Sequence, residues 1–350
     1  MKVAIDIGGA ASGNRRDWPE RVRFALEAER LGADFCWSAE AWGEDSVAPL
    51  AYLAAQTSTM FLGTGIMQIS ARVPSMAAMT ALTMATISGD RFILGLGVSG
   101  PQVVEGLHGV AFSRPLGRLT EYLDILDLAF AGEPLSYSGS HYTLPVPGGE
   151  GKALRLAQRP ERRIPVYLAT LGPKGLELTG ARADGWLGTC FIPESSDSYI
   201  EPLRRGAEQA GRHLRDLDLQ AGGLVSFGDN VPELLAEVKR SVAFALGAMG
   251  SREHNFYNLA YQRAGFTAEA QLVQRLWLDG RRPEAVAAVP EEMARLSSFV
   301  GTDDMIRDRL RAFREAGITT VRVQLAGRTT EDRLETLRRF IPLVRELTAP

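Results

Sequence analysis

The chain has 350 residues, 45% of them hydrophobic and 23% charged, with a net charge of -3. That is enough for a large buried core, as two domains or as one α/β barrel, and with no basic block or face it argues against a nucleic-acid partner. Cys36 and Cys190 are the only cysteines, which argues against a disulfide scaffold and fits a reducing cytoplasm. The histidines His108, His141, His213 and His254 show no metal-binding spacing. No signal peptide opens the chain and no apolar run approaches a bilayer span, so the reading is a soluble, cytoplasmic protein with no membrane partner.

Strand-like and helix-like segments alternate along the chain. The strand Val3–Ile7 is followed by a helix at Trp18–Leu31, then a strand at Asp34–Ser38 and a helix at Val47–Ser58. Strands at Phe61–Ile69 and Arg91–Val98 flank a helix from Pro74 to Ser88. Leu119, Tyr122, Leu123 and Leu126 give Arg118–Ala131 helical spacing. Strands follow at Ile164–Thr170, Asp184–Cys190 and Leu217–Phe227. The C-terminal part has a helix at Thr302–Ala316, a strand at Thr320–Leu325 and a last helix carrying Leu334, Leu337, Ile341 and Val344. Eight β/α units predict a single (β/α)8 TIM barrel domain, with an open doubly wound sheet as the competitor. Two stretches break the repeat. Residues 133–163 predict an insertion after the fourth helix, holding a hairpin that turns at Ser138 and Gly139. Residues 249–290 predict a helical insertion near strand seven.

The segment from Tyr167 to Lys174 says most about function. An apolar strand runs into Gly172, Pro173 and Lys174, and a helix pattern follows. Proline suits the first helical position. A helix start attracts anions, and Lys174 adds a charge. These residues read as a phosphate-binding turn, against the alternative of an ordinary strand-to-helix turn. Gly95, Gly97 and Gly100 match a dinucleotide fingerprint, but no long helix or acid-ended strand follows as that motif requires. Ser99 and Gly100 instead read as an open loop at the C-terminal end of strand four, where barrel active sites collect. Gly63 and Gly65 inside strand three mark a bulge or a close backbone approach, with Gly65 and Ile66 backing a flat ring or merely helping to close the barrel.

Glu40 closes strand two between Trp37 and Trp42. It reads as a catalytic carboxylate desolvated by the indoles, or else as a surface ion-pair partner. Asp6, ending strand one, is placed at the same mouth. His108 is a second catalytic candidate or a structural histidine. Glu253, His254, Asn255 and Tyr257 form a polar and aromatic cluster that lines a substrate pocket or caps a helix. No nucleophile–base pair or metal constellation stands out, which fits chemistry supplied by a cofactor.

Together these residues resemble the luciferase-like monooxygenase superfamily, and within it the deazaflavin (coenzyme F420)-dependent oxidoreductases. The resemblance rests on Thr64 to Ile66 with Arg72 to Pro74, Ser88 to Phe92, Leu94 to Val103, Leu171 to Lys174 with Ala183 to Trp186, Asn255 to Asn258, and Ala316 to Thr320. It implies a TIM barrel with F420 at the C-terminal mouth and a cis peptide at Gly65–Ile66 behind the ring. The phosphate is expected on Ser99, Gly100 and Leu171 to Lys174. It further implies hydride transfer from C5 to an electron-poor C=C, C=N or C=O of a small molecule, with Trp42, Asn255 and Tyr257 shaping the substrate pocket. An FMN-dependent monooxygenase is the alternative. Some relatives carry an Asp-His pair where this chain has Glu40 and Ala41, so their proton-transferring histidine is missing here. Relatives are often homodimers, and the sequence alone gives no legible seam.

Overall fold

The computed structural model describes residues 1–8, 17–250 and 255–347. Its strands are β1 (Lys2–Asp6), β2 (Phe35–Ser38), β3 (Phe61–Thr64), β4 (Met67–Gln68), β5 (Phe92–Gly97), β6 (Tyr137–Ser138), β7 (Thr143–Leu144), β8 (Val166–Leu168), β9 (Gly185–Leu187), β10 (Asp218–Ala221), β11 (Leu224–Phe227), β12 (Phe299–Gly301) and β13 (Thr320–Leu325). Apart from the β6–β7 hairpin, they form one sheet in the order β1, β2, β3, β5, β8, β9, β10, β13, with β13 pairing back to β1. With β4 continuing β3 and β11 continuing β10, this is a closed eight-stranded parallel TIM barrel, the predicted class.

The described chain falls into two compact units, one of residues 1–7, 17–36 and 170–347, the other of residue 8 and 37–169. In the first, β1 and β13 run in parallel register, with Ala4 opposite Arg322 and Ile5 opposite Val323. The predicted seventh strand is broken into β10 and β11 at Gly222 and Gly223. A Cβ at Gly222 would overlap the Arg322 backbone and one at Gly223 the Ser297 backbone, so only glycine lets these chains approach so closely. β12, which the sequence reading lacks, pairs with β11. The predicted helical insertion comprises helices at Phe256–Arg263, Thr267–Leu278, Arg282–Ala287 and Glu291–Leu296. It packs a core of its own against the helix Val231–Ala248, through Val242, Leu246, Tyr261, Val273 and Met293.

In the second unit the predicted third strand is interrupted after Thr64, and β4 resumes beside β5 with Met67 opposite Leu96. The intervening Gly65–Ile66 peptide is cis. Trp37 lies across Gly63, where any Cβ would overlap the indole, and stacks against Tyr167 with ring centroids 5.7 Å apart. The two long helices here begin with proline and end on left-handed glycine. Pro74–Ser88 stops at Gly89 and Pro115–Ala131 at Gly132, as propensity dictates. The inserted hairpin turns over residues 139–142, later than predicted, with the Gly139 N–H donating to the Tyr142 carbonyl. Among the described residues no helix is long and apolar enough to cross a membrane.

Candidate active site

Glu40 follows β2, and its carboxylate is only 8% exposed. Arg72 Nη1 donates to both oxygens at 2.6 and 2.8 Å. The Gln68 N–H adds a bond of 2.7 Å, and the Ser46 N–H and Oγ add bonds of 3.2 and 3.1 Å. Those donors use up nearly all the acceptor capacity of a carboxylate. The backbone around it is tied in the same way. The Glu40 N–H donates to the Ile66 carbonyl at 3.2 Å, the Gly65 N–H to the Ser38 carbonyl at 2.8 Å, and Gln68 Nε2 to the Glu40 carbonyl at 3.2 Å. Glu40 is thus the knot that holds the strand-three bulge to the end of β2. The expected pair of desolvating indoles is not what surrounds it, because Trp42 is 51% exposed. The dominant neighbour, Arg72, was absent from the predicted site. One signal in the sequence points to it: Arg72 is the only charged residue between Ser46 and Gly89, and a lone charge in so apolar a run is usually paired.

Thr64 is fully buried, and its hydroxyl donates to the Gly95 carbonyl at 2.8 Å while accepting from the Gly95 N–H at 2.9 Å. That hydroxyl therefore clamps β3 to β5 and has no reach toward a ligand. The Ile66 side chain fills the space a Cβ on Gly97 would need, so the bulge is packed from one side by its own residue. Ser99 has a left-handed backbone (φ 58°), and Gly100 leads into a four-residue helix at Pro101–Val104. His108 is exposed on the turn that follows, so its side chain joins none of these groups.

In the other unit, Gly172 precedes the helix Pro173–Arg182 with proline at the first helical position, as predicted. No side chain caps this helix start, and nothing lies within 4 Å of where a Gly172 Cβ would be. An uncapped, open helix start beside the exposed Lys174 suits a phosphate. Leu171 is held from behind: Arg263, from the helical insertion, donates Nη2 to its carbonyl at 2.7 Å.

Asp6, at the end of β1, is engaged by Arg322 of β13, with Nη2 and Nε donating at 2.6, 3.0 and 3.1 Å. Burial works against the Arg322 charge, but Asp6 outweighs it and holds the guanidinium more firmly protonated than usual. Tyr257 is near enough to Arg322 to feel its charge. Burial pushes the Tyr257 hydroxyl up to about 12, Cys190 adds to the rise and Arg322 opposes it, so at neutral pH this phenol keeps its proton and can donate. Asn255 is a correction. It is 3% exposed, its side-chain oxygen caps the helix by accepting from the Asn258 N–H, and its amide donates to the Ala245 and Leu246 carbonyls. Its amide is spent on capping, which is the helix-cap alternative of the sequence reading. Glu253 and His254 lie outside the described residues. Among the described residues no cluster of His, Cys, Asp and Glu could hold a metal ion.

The family model of luciferase-like monooxygenases matches residues 2–320. The chain is 38% identical over 327 residues to a Mycobacterium tuberculosis protein named as a coenzyme F420-dependent oxidoreductase, covering 91% of this chain and 93% of that one. Among solved structures, the coenzyme F420 dependent tetrahydromethanopterin reductase of Methanopyrus kandleri superposes with a TM-score of 0.79 at 23% identity, over 98% of this chain and 99% of the other. An F420-dependent secondary alcohol dehydrogenase, solved with an F420–acetone adduct, gives a TM-score of 0.77 at 18% identity over 99% and 100%. At such identities the two structures speak for the fold.

Proposed function

The chain is an enzyme of the luciferase-like monooxygenase family, and from that premise we propose that it is a coenzyme F420-dependent oxidoreductase acting on a small organic molecule in the cytoplasm. The mycobacterial relative carries this reading, because its similarity runs through nearly the whole of both chains. The open helix start at Gly172 supports it, since F420 bears a phosphate on its side arm. When bound, F420 supplies the hydride at its deazaflavin C5, for an electron-poor C=C, C=N or C=O carbon. The chain's own residues bind, orient and shield. We assign cofactor holding to Asp6, Glu40, Thr64, Gly65 and Ile66, to Ser99 and Gly100, and to Leu171, Gly172, Pro173 and Lys174. In this assignment Thr64 and Glu40 act by fixing the bulge rather than through free polar atoms. Glu40 takes the orienting role, which its five donor contacts favour over proton donation. We assign Tyr257, which keeps its proton at neutral pH, as a proton donor toward the substrate, and Trp42 to substrate contact. His108 is the reserve candidate for the proton. We take the working form to be a homodimer.

Fluorescence titration of the purified protein with F420 tests this reading, with saturation expected at micromolar concentrations. Absence of F420 binding, with a yellow purified protein that consumes oxygen when given reduced FMN, would replace it with an FMN-dependent monooxygenase. The Tyr257→Phe variant is expected to bind F420 as tightly as wild type and to lose about 100-fold in kcat, within the ordinary range for removing one acid–base group. Unchanged turnover would take Tyr257 out of the chemistry.

A further inference from the structure

Arg263 ends the helix Phe256–Arg263 and is partly buried. A basic residue in a last turn normally leans on the carbonyls of its own helix. Arg263 reaches elsewhere. Its Nη2 donates to the Leu171 carbonyl at 2.7 Å, directly ahead of the open helix start at Gly172. Its Nε is buried and has no hydrogen-bond partner. Among the described residues no carboxylate is paired with it. The helix Pro173–Arg182 has no acid in its first turn, and its one acid, Glu177, is taken by Arg205 at 2.6 Å. Tyr199 feels the Arg263 charge, but burial holds that phenol protonated, so it brings no negative charge. A cation drawn this far out of water is seldom left without an anion.

We propose that Arg263 is the standing counter-charge of the cofactor phosphate, anchored behind the Gly172 turn by the Leu171 carbonyl. The inference rests on the reading above that a phosphate is seated at this turn, and it names the charge that selects it. The N–H groups of a helix start carry only partial charges. A carbonyl oxygen beside them turns a negative end toward the same place. The guanidinium cancels that negative end and adds a full charge. Lys174 also offers a charge, but it is exposed, and water and salt screen an exposed charge far more than a partly buried one. Arginine suits the task because it stays charged at every working pH, and its several donors let one hold the carbonyl while the charge remains. Arg263 acts through the turn and is therefore a positioning residue.

Fluorescence titration with two probes tests this: F420, and the same deazaflavin with its ribityl chain but no phosphate. Arg263→Gln is expected to raise the Kd for F420 about 10-fold, the size of one partly screened charge, and to leave the Kd for the phosphate-free probe within about 2-fold. Added salt should weaken F420 binding by wild type and weaken it less steeply in the variant, because salt screens charge. Arg263→Lys keeps the charge and should recover most of the loss. An unchanged Kd for F420 in Arg263→Gln overturns the proposal. So does equal weakening of both probes, which would leave Arg263 as a mechanical support only. Thermal melting reports on folding. If Arg263→Gln fails to fold, hydrogen exchange of wild type replaces it. F420 should slow exchange over residues 256–263 and the phosphate-free probe should not; protection by both or by neither overturns the proposal. A wild type that binds neither F420 nor FMN overturns the cofactor reading and this inference together. One that binds FMN in place of F420 overturns the F420 reading alone, and FMN with riboflavin then serve as the two probes.

Discussion

Glu40 and Arg72 stand 32 residues apart in sequence and meet through two short hydrogen bonds at a nearly buried carboxylate. Removing Arg72 would strand a desolvated acid, so Arg72→Met should cost about 3 kcal/mol in urea unfolding. Glu40→Gln keeps an acceptor for the Gln68 N–H and should cost less. Equal costs would mean that the pair adds nothing beyond packing. Thr64→Val replaces a hydroxyl that both donates to and accepts from Gly95. Leaving that backbone without its partner should cost about 1–3 kcal/mol. These residues also show what a sequence conceals. The carboxylate at the end of β2 could be picked out because strand ends in a barrel are where side chains gather. Its partner could not be assigned, because pairing across a barrel depends on which loops meet, and no local period records that. Asp6 and Arg322 repeat the lesson at a separation of 316 residues.

The Glu121 side chain ties the turn of the inserted hairpin to its neighbouring helix. The Glu121 carboxylate accepts the N–H groups of Ser140, His141 and Tyr142 at 2.7, 2.8 and 3.0 Å. Burial alone would raise its pKa, but the three backbone donors outweigh burial and hold it below its ordinary value of 4.5. A carboxyl depressed in the folded state contributes stability that is complete above its unfolded value and is lost as pH falls through the lower, folded one. Hydrogen exchange at residues 140–142 should therefore quicken as pH drops below about 4 relative to other turns, and Glu121→Gln should abolish that pH dependence. An exchange profile indifferent to pH in wild type would contradict it. At this scale most elements were legible, since apolar period and the punctuation of proline and glycine mark starts and stops locally. The failures share one cause. β12 has three residues, too few to show alternation, and the breaks inside strands three and seven lie at glycines whose neighbours come from distant segments. The turn at Gly172 was legible for the opposite reason, because glycine and proline have fixed positional meaning at a helix start.

Across the whole molecule both thiols are held un-ionised, Cys36 buried and Cys190 partly so. Burial pushes Cys190 up to about 12 and raises Cys36 further still, so neither forms a thiolate near neutrality. Iodoacetamide at pH 8 should leave the native protein unmodified and label both cysteines once it unfolds. Labelling at Cys190 before Cys36 would reveal opening of the helical insertion ahead of the barrel. The barrel class itself followed from the count of alternating elements, which needs no contact between distant residues. The extra helices were recognised as a departure from that count, but what they do was not. Arg263 gives the answer, reaching across 92 positions to hold the carbonyl of Leu171. A segment that reads as an interruption of the repeat thus serves as a splint for the turn at Gly172. Trimming it to recover a minimal scaffold would take away the hydrogen bond that holds the Leu171 carbonyl in place just ahead of the helix start.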